Sequence, residues 1–284
     1  MTVKQVGIVG AGHMGSGVAE VAGKAGFEVV LRSRTQQAAD AALASLKKSL
    51  ARQVERGRLE SATADEVSAR VRAVTDLDEL ASCDLVLEAI VEDLPTKKEL
   101  FVALDRICAP RAILASNTST LPIIELAMVT TRPERVCGLH FFNPAPVMSL
   151  VEMARALTTS DETMDEVRVF VEACDKTAVS VKDQSGFVVN ALLFPYLNNA
   201  VKLYDAGVAT RDDIDVAMKG GCNFPMGPLE LLDLVGLDTS LSILEALHVE
   251  YQDPNYVPAP LLAKLVGDGR LGRKSGEGFY DYKK

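Results

Sequence analysis

No stretch of this chain approaches the roughly 18 consecutive apolar residues of a membrane-spanning helix. Its first residues, "MTVKQVGIVGAG", enter an apolar strand pattern at once, without the longer hydrophobic region and small-residue cleavage site of a secretory leader. The expectation is a cytoplasmic protein with no membrane partner. Cysteine is sparse and scattered. Cys83, Cys108, Cys137, Cys174 and Cys222 are odd in number and form no CxxC pair, which argues against a disulfide framework and against a metal site. All five are expected to be buried thiols. Excess positive charge is missing too: a net charge of -9 argues against a general nucleic-acid binder, because phosphate backbones are held by clustered Lys and Arg. An anionic small ligand needs only a local basic patch. With three histidines in the chain, the search for a general base is short.

What is present has two grammars. In the first 183 residues, short β-branched runs alternate with amphipathic helical stretches, the pattern of a mostly parallel sheet covered by helices. Strand candidates are "QVGIVG", "EVVLR", "VRAVT", "DLVLEAI", "AILASN", "RVCGLHFF", "LVEMA" and "AVSVK". Between the second and third, residues 36–69 form a long polar insert that reads as two helices broken near Gly57, longer than an ordinary crossover. After "DQSGFVVN" the sequence shows helix periods with Gly and Pro punctuation and no strand alternation. The predicted fold class is therefore α/β, a Rossmann-type doubly wound sheet over residues 1–185 followed by an all-helical domain over 186–284. A helical domain of that size, rich in apolar residues, is expected to bury part of its surface in a homodimer.

"GAGHMG" fits GxGxxG directly after one predicted strand and at the start of a helix, where the motif has a mechanism. Gly10 permits the tight turn, Gly12 lets the backbone approach a pyrophosphate, and Gly15 allows helix and strand to pack closely. The anion then faces free N–H groups at a helix N-terminus. His13 occupies a variable position of this turn, and His248 lies in the helical "EALHVEY"; neither is assigned chemistry, which leaves His140. The second strand ends in Arg32, Ser33 and Arg34, where an NAD site usually has an acid for the adenine ribose. The cofactor is thus NAD or NADP. Ser33 is expected to donate to a 2′-phosphate and Arg34 to add a charged contact, so NADPH is expected to serve at least as well as NADH.

Four further blocks are more specific. "ASNTSTLPI", "GLHFFNPAPVMSLVEM" and "SGFVVNALL", with "GGCNFPMGPLELLDLVGLD" running on to "LGRKSGEGFYDY", are similar in order and over essentially the whole chain to the 3-hydroxyacyl-CoA dehydrogenase family. The resemblance implies that His140 is the catalytic histidine, Glu152 the carboxylate paired with it, and Ser119 and Asn190 donors to the substrate oxygens. It implies that Glu92, Lys97 and Asn117 line the nicotinamide side of the cofactor, and that the polar insert is a helical arm contacting CoA. Its free-standing length, with no hydratase region, resembles the bacterial short-chain members. The implied activity interconverts a short (3S)-3-hydroxyacyl-CoA and its 3-oxoacyl-CoA, with an acyl-CoA as the small-molecule partner.

The chemistry fits these residue types. Oxidising a secondary alcohol removes a hydride and a proton; an imidazole titrating near neutrality serves both directions, and a neighbouring carboxylate fixes its tautomer and stabilises the imidazolium. Neutral donors such as Ser119 and Asn190 suit an oxygen that alternates between alcohol and carbonyl. In the insert, Lys48, Arg52 and Arg56 recur every four residues and share one helical face. Such a stripe is commonly a solvated surface; with the resemblance, Arg52 and Arg56 become candidates for the CoA phosphates. Two other readings remain open. One is a β-hydroxyacid dehydrogenase of the 6-phosphogluconate or hydroxyisobutyrate kind, which relies on a catalytic lysine where this chain offers His140 and Glu152. The other is a non-catalytic, crystallin-like structural protein on the same fold, against which the intact Ser119, His140, Glu152 and Asn190 speak.

Overall fold

In a computed structural model of the chain, residues 3–283 are described. The chain divides into two compact units, Met1–Gln184 and Ser185–Lys284. All eight strand candidates form in the first: β1 (Gln5–Val9), β2 (Glu28–Arg32), β3 (Val71–Val74), β4 (Leu85–Glu88), β5 (Ile113–Ser116), β6 (Val136–Phe141), β7 (Leu150–Arg155) and β8 (Thr177–Lys182). They make one sheet in the order β3-β2-β1-β4-β5-β6-β7-β8, parallel throughout except for the antiparallel pair β6 and β7. The central strands read as unbroken apolar runs because helices cover both faces, so neither set of alternating side chains meets water. β4 and β5 are buried at every position.

The crossovers are α1 (His13–Lys24), the insert helices α2 (Gln36–Glu55) and α3 (Ser61–Arg70), then α4 (Leu94–Ile107), α5 (Ile123–Ala127) and α6 (Asp161–Ala173). Ala39, Ala42, Leu46 and Leu50 bury one face of α2, as their spacing of three and four residues requires, while Lys48 and Arg52 are exposed. Arg56 is the residue that ends the helix, and Gly57 turns the chain at φ +64°. A polar latch ties the arm to α1: Lys24 Nζ donates to Glu20 Oε1 and Gln53 Oε1, both at 2.6 Å, and Gln53 Nε2 donates to Glu20 at 2.8 Å.

The second unit contains α7 (Val189–Asp205), α8 (Arg211–Cys222), α9 (Pro228–Val235), α10 (Leu237–Tyr251) and α11 (Pro260–Gly267), and no strand among its described residues. Its C-terminal segment is held by two buried carboxylates. Asp233 on α9 accepts from Phe279 N and Tyr280 N, each at 2.8 Å, and from Tyr282 Oη at 3.1 Å; Asp215 on α8 accepts from Tyr280 Oη at 2.9 Å. Removing Asp233 strands two backbone donors in an apolar setting. Asp233→Ala is expected to lower stability to urea by about 3 kcal/mol or more, at about 1–3 kcal/mol for each unsatisfied group. An unchanged unfolding midpoint would show that the segment contributes nothing to the unit.

The cysteines need one correction. Cys83, Cys108, Cys137 and Cys174 are buried, but Cys222 is exposed at the end of α8. Two glycines precede it and the helix stops there, so no packed face is available to cover it. Burial pushes the thiols of Cys83, Cys137 and Cys174 up to about 12 and that of Cys108 up to about 11, which withholds the reactive thiolate. A thiol reagent at neutral pH is therefore expected to modify the native protein at Cys222 alone and the other four only after unfolding, read by intact mass.

Candidate active site

The glycine turn joins β1 to α1. A Cβ at Gly10, whose φ is +117°, would lie 2.4 Å from the Ala89 carbonyl oxygen, and one at Gly15 would lie 1.7 Å from the Gly10 oxygen. Only glycine fits either place. At Gly12 a Cβ would meet nothing within 4 Å, so the space above the turn is open, and no side chain caps the N–H groups at the start of α1. An open concavity beneath uncapped helix N–H groups fits the pyrophosphate of a dinucleotide. It lies beside the point where chain order reverses, between β1 and β4, at the carboxyl ends of the strands.

At the end of β2, Arg32 Nε donates to the Thr75 carbonyl at 3.0 Å and Arg34 is exposed. Burial lowers the pKa of Arg32, Arg34 lowers it further, and Asp76 opposes the shift. Ser33 differs from expectation: it is buried, and its hydroxyl donates to the Thr35 carbonyl at 2.7 Å. That hydrogen is already committed. Arg34 is the exposed cationic side chain at this strand end.

Between β4 and β5 the structure assembles a charged line that includes Glu92 and Lys97. Lys97, 1% exposed, donates to Glu88 Oε1 and Oε2 at 2.7 and 2.9 Å and lies 3.1 Å from Glu92 Oε2. Lys97 therefore sits behind Glu92, where the resemblance implied a cofactor-lining position. Glu92, with 37% of its side chain exposed, accepts from Thr118 Oγ1, from Ser119 N at 2.9 Å and from Thr120 N at 3.3 Å. Burial works against its charge, but Lys97 and the donors from Thr118 and Ser119 outweigh it and hold the carboxyl below the usual carboxylate range. The loop carrying Ser119 is thus fastened to a carboxylate on the neighbouring crossover. Asn117 Oδ1 accepts from Phe141 N at 2.9 Å and fixes the end of β5 to that of β6. Sequence reasoning missed Glu88. The available signal was an acid closing the apolar run "DLVLE", with a lysine nine residues later.

His140 and Glu152 face each other because β6 and β7 run antiparallel and their register places the two residues directly opposite. His140 Nδ1 lies 2.8 Å from Glu152 Oε2, with 6% and 1% of the residues exposed. Donation of Nδ1–H to the carboxylate puts the imidazole lone pair on Nε2, and the Phe142 ring packs 4.4 Å from the imidazole. Asn190 belongs to the second unit, buried in the first turn of α7. Among the described residues no group of three or more His, Cys, Asp or Glu is placed to hold a metal ion.

A sheet with a pyrophosphate cradle at one strand end and a buried imidazole–carboxylate pair on another strand defines a dinucleotide-dependent oxidoreductase. The chain belongs to the 3-hydroxyacyl-CoA dehydrogenase family: residues 5–184 match the family's NAD binding domain and residues 186–282 its C-terminal domain. It is 51% identical over 282 residues to a probable 3-hydroxybutyryl-CoA dehydrogenase of Bacillus subtilis, covering 99% of this chain and 98% of the relative. Among solved structures it is similar to FadB2 of M. tuberculosis (TM-score 0.97, 45% identity) and to the (S)-3-hydroxybutyryl-CoA dehydrogenase PaaH1 of Ralstonia eutropha (TM-score 0.96, 42% identity). Both matches cover 100% of each chain. No helix among the described residues is long and apolar enough to cross a membrane.

Proposed function

We propose that the protein interconverts (3S)-3-hydroxybutyryl-CoA and acetoacetyl-CoA by hydride transfer with a nicotinamide dinucleotide. The observation that carries the reading is the buried His140–Glu152 pair, set at opposed positions on the sheet that bears the glycine turn. In the oxidation, His140 Nε2 takes the hydroxyl proton while Glu152 stabilises the imidazolium; in the reduction the proton returns. Ser119 and Asn190 are donors to the substrate oxygens, and Glu92 and Asn117 line the nicotinamide side, with Lys97 behind Glu92. When bound, the nicotinamide supplies the hydride acceptor or donor. The turn of Gly10, Gly12 and Gly15 holds the pyrophosphate. The test is acetoacetyl-CoA reduction with NADH and NADPH side by side; no turnover with either cofactor would overturn the reading.

The cofactor reading includes NADP. β2 ends at Arg32 and is followed by Ser33 and Arg34, so no carboxylate at that position repels a 2′-phosphate, and NADPH is used at least as well as NADH.

Arg52 and Arg56, exposed at the end of the arm, meet the nucleotide phosphates of CoA. Replacing both with Ala is expected to raise KM for acetoacetyl-CoA and weaken its salt dependence, with kcat little changed. The same loss on an acetoacetyl-pantetheine thioester, which lacks the nucleotide, would place the two arginines elsewhere. The second unit also pairs with another copy of the chain. Leu192 and Leu203 stand 71% and 48% exposed on α7, three turns apart on one face. Light scattering is expected to give twice the chain mass; a monomer at micromolar concentration would exclude the pairing.

A further inference from the structure

Glu88 is a buried charge in this region with no part in the roles above. It closes β4 at the reversal point of the sheet, opposite Val9 of β1 and Ser116 of β5, and is 0% exposed. Its carboxylate accepts from Lys97 Nζ, from Ser116 Oγ at 2.6 Å and from Ile90 N at 2.7 Å. A buried ion pair is a poor device for stability, since packed apolar side chains of similar volume often do as well or better. What the pair adds is placed charge. Glu88, Lys97 and Glu92 form a line of alternating sign, running from the sheet interior to the partly exposed Glu92 carboxylate that holds the Ser119 loop. Its sum is one negative charge.

We propose that Glu88 is a specificity-determining residue for the redox state of the cofactor: by neutralising Lys97 it leaves the negative charge of Glu92 in excess beside the nicotinamide, favouring the oxidised ring over the reduced one. The oxidised ring is positive and the reduced ring neutral, so charge on this line acts on one form and spares the other. Losing Glu88 brings the sum to zero; losing Glu88 and Lys97 together leaves it at one negative charge. The inference rests on the reading that Glu92 lines the nicotinamide side.

The test measures Kd for NAD+ and for NADH separately on the full chain, by calorimetry and by nucleotide fluorescence, and follows the ratio Kd(NAD+)/Kd(NADH). Glu88→Gln is expected to raise the ratio about three- to tenfold, the size expected for one charge roughly 10 Å away at an effective dielectric of about 25 to 40. The double variant Glu88→Gln, Lys97→Gln keeps one net negative charge and is expected to return the ratio to about the original value. If Glu88→Gln alone fails to fold, Glu88→Leu removes the same charge and carries the same comparison. A merely structural role would weaken both forms together and leave the ratio unmoved, which would overturn the proposal. Glu92→Gln separates the two layers. If it raises the ratio while Glu88→Gln leaves it unmoved, the proposal fails and the placement of Glu92 stands; if it too leaves the ratio unmoved, that placement fails and takes the proposal with it.

Discussion

His140→Ala is expected to lower kcat for acetoacetyl-CoA reduction by at least about a hundredfold, the usual worth of a positioned general acid or base. The substitution removes the imidazole nitrogen that exchanges the proton and leaves the glycine turn untouched. β6 keeps its pairing with β5 and β7 through backbone hydrogen bonds, so the circular dichroism spectrum and NADH affinity are expected to stay close to the parent's. Glu152→Gln should cost less, because an amide oxygen at that position still accepts Nδ1–H and keeps the ring oriented, while the charge that stabilises the imidazolium is lost. A near-normal kcat in His140→Ala, measured at saturating substrate across pH 6 to 8 (about the range in which histidine titrates), would remove His140 from the chemistry.

Ser33→Asp is expected to move cofactor preference toward NADH by about 10- to 100-fold in the ratio of kcat/KM values, the worth of one or two charge-assisted hydrogen bonds to the ribose together with repulsion of the 2′-phosphate. The carboxylate would accept from the ribose hydroxyls of NADH and meet like charge in NADPH. The Ser33 hydroxyl of the parent protein is held by the Thr35 carbonyl, so on the proposed NADP reading the serine acts by leaving the space uncharged and Arg34 supplies the attraction. Arg34→Ala is therefore expected to raise KM for NADPH more than for NADH. Parent protein that favours NADH by more than about tenfold, the equivalent of roughly one charge-assisted hydrogen bond, would defeat the reading.

The elements were legible because their causes are local. Runs such as "QVGIV" and "DLVLE" are short, rich in aliphatic residues and set in a strand–helix alternation, the marks of strands buried on both faces, and the polar insert had to break where Gly57 stands, since a left-handed residue ends a helix. The glycine turn was legible for the same reason: Gly10 and Gly15 meet backbone atoms at distances that forbid any side chain, and this requirement is written in the motif itself. The candidate site came with its motifs, but its contacts did not. Nothing in "DLVLEAI" says that Glu88 receives a lysine from the following helix and a serine 28 residues away, or that Lys97 thereby turns inward. Nor does "NTS" show that Asn117 is spent on the backbone of Phe141.

By itself the sequence determined the order of strands and helices, the place of the phosphate turn and the residue types available for proton transfer, because periodicity, helix ends and glycine conformation depend on neighbours a few positions apart. Only the tertiary structure decided the antiparallel register that sets His140 against Glu152, the inward Glu88–Lys97 pair, the engaged Ser33 hydroxyl and the exposure of Cys222. Each of these depends on which strand lies beside which or on where packing stops, and pairing across tens of residues is settled by burying the whole apolar surface at once, a sum that no local stretch of sequence contains.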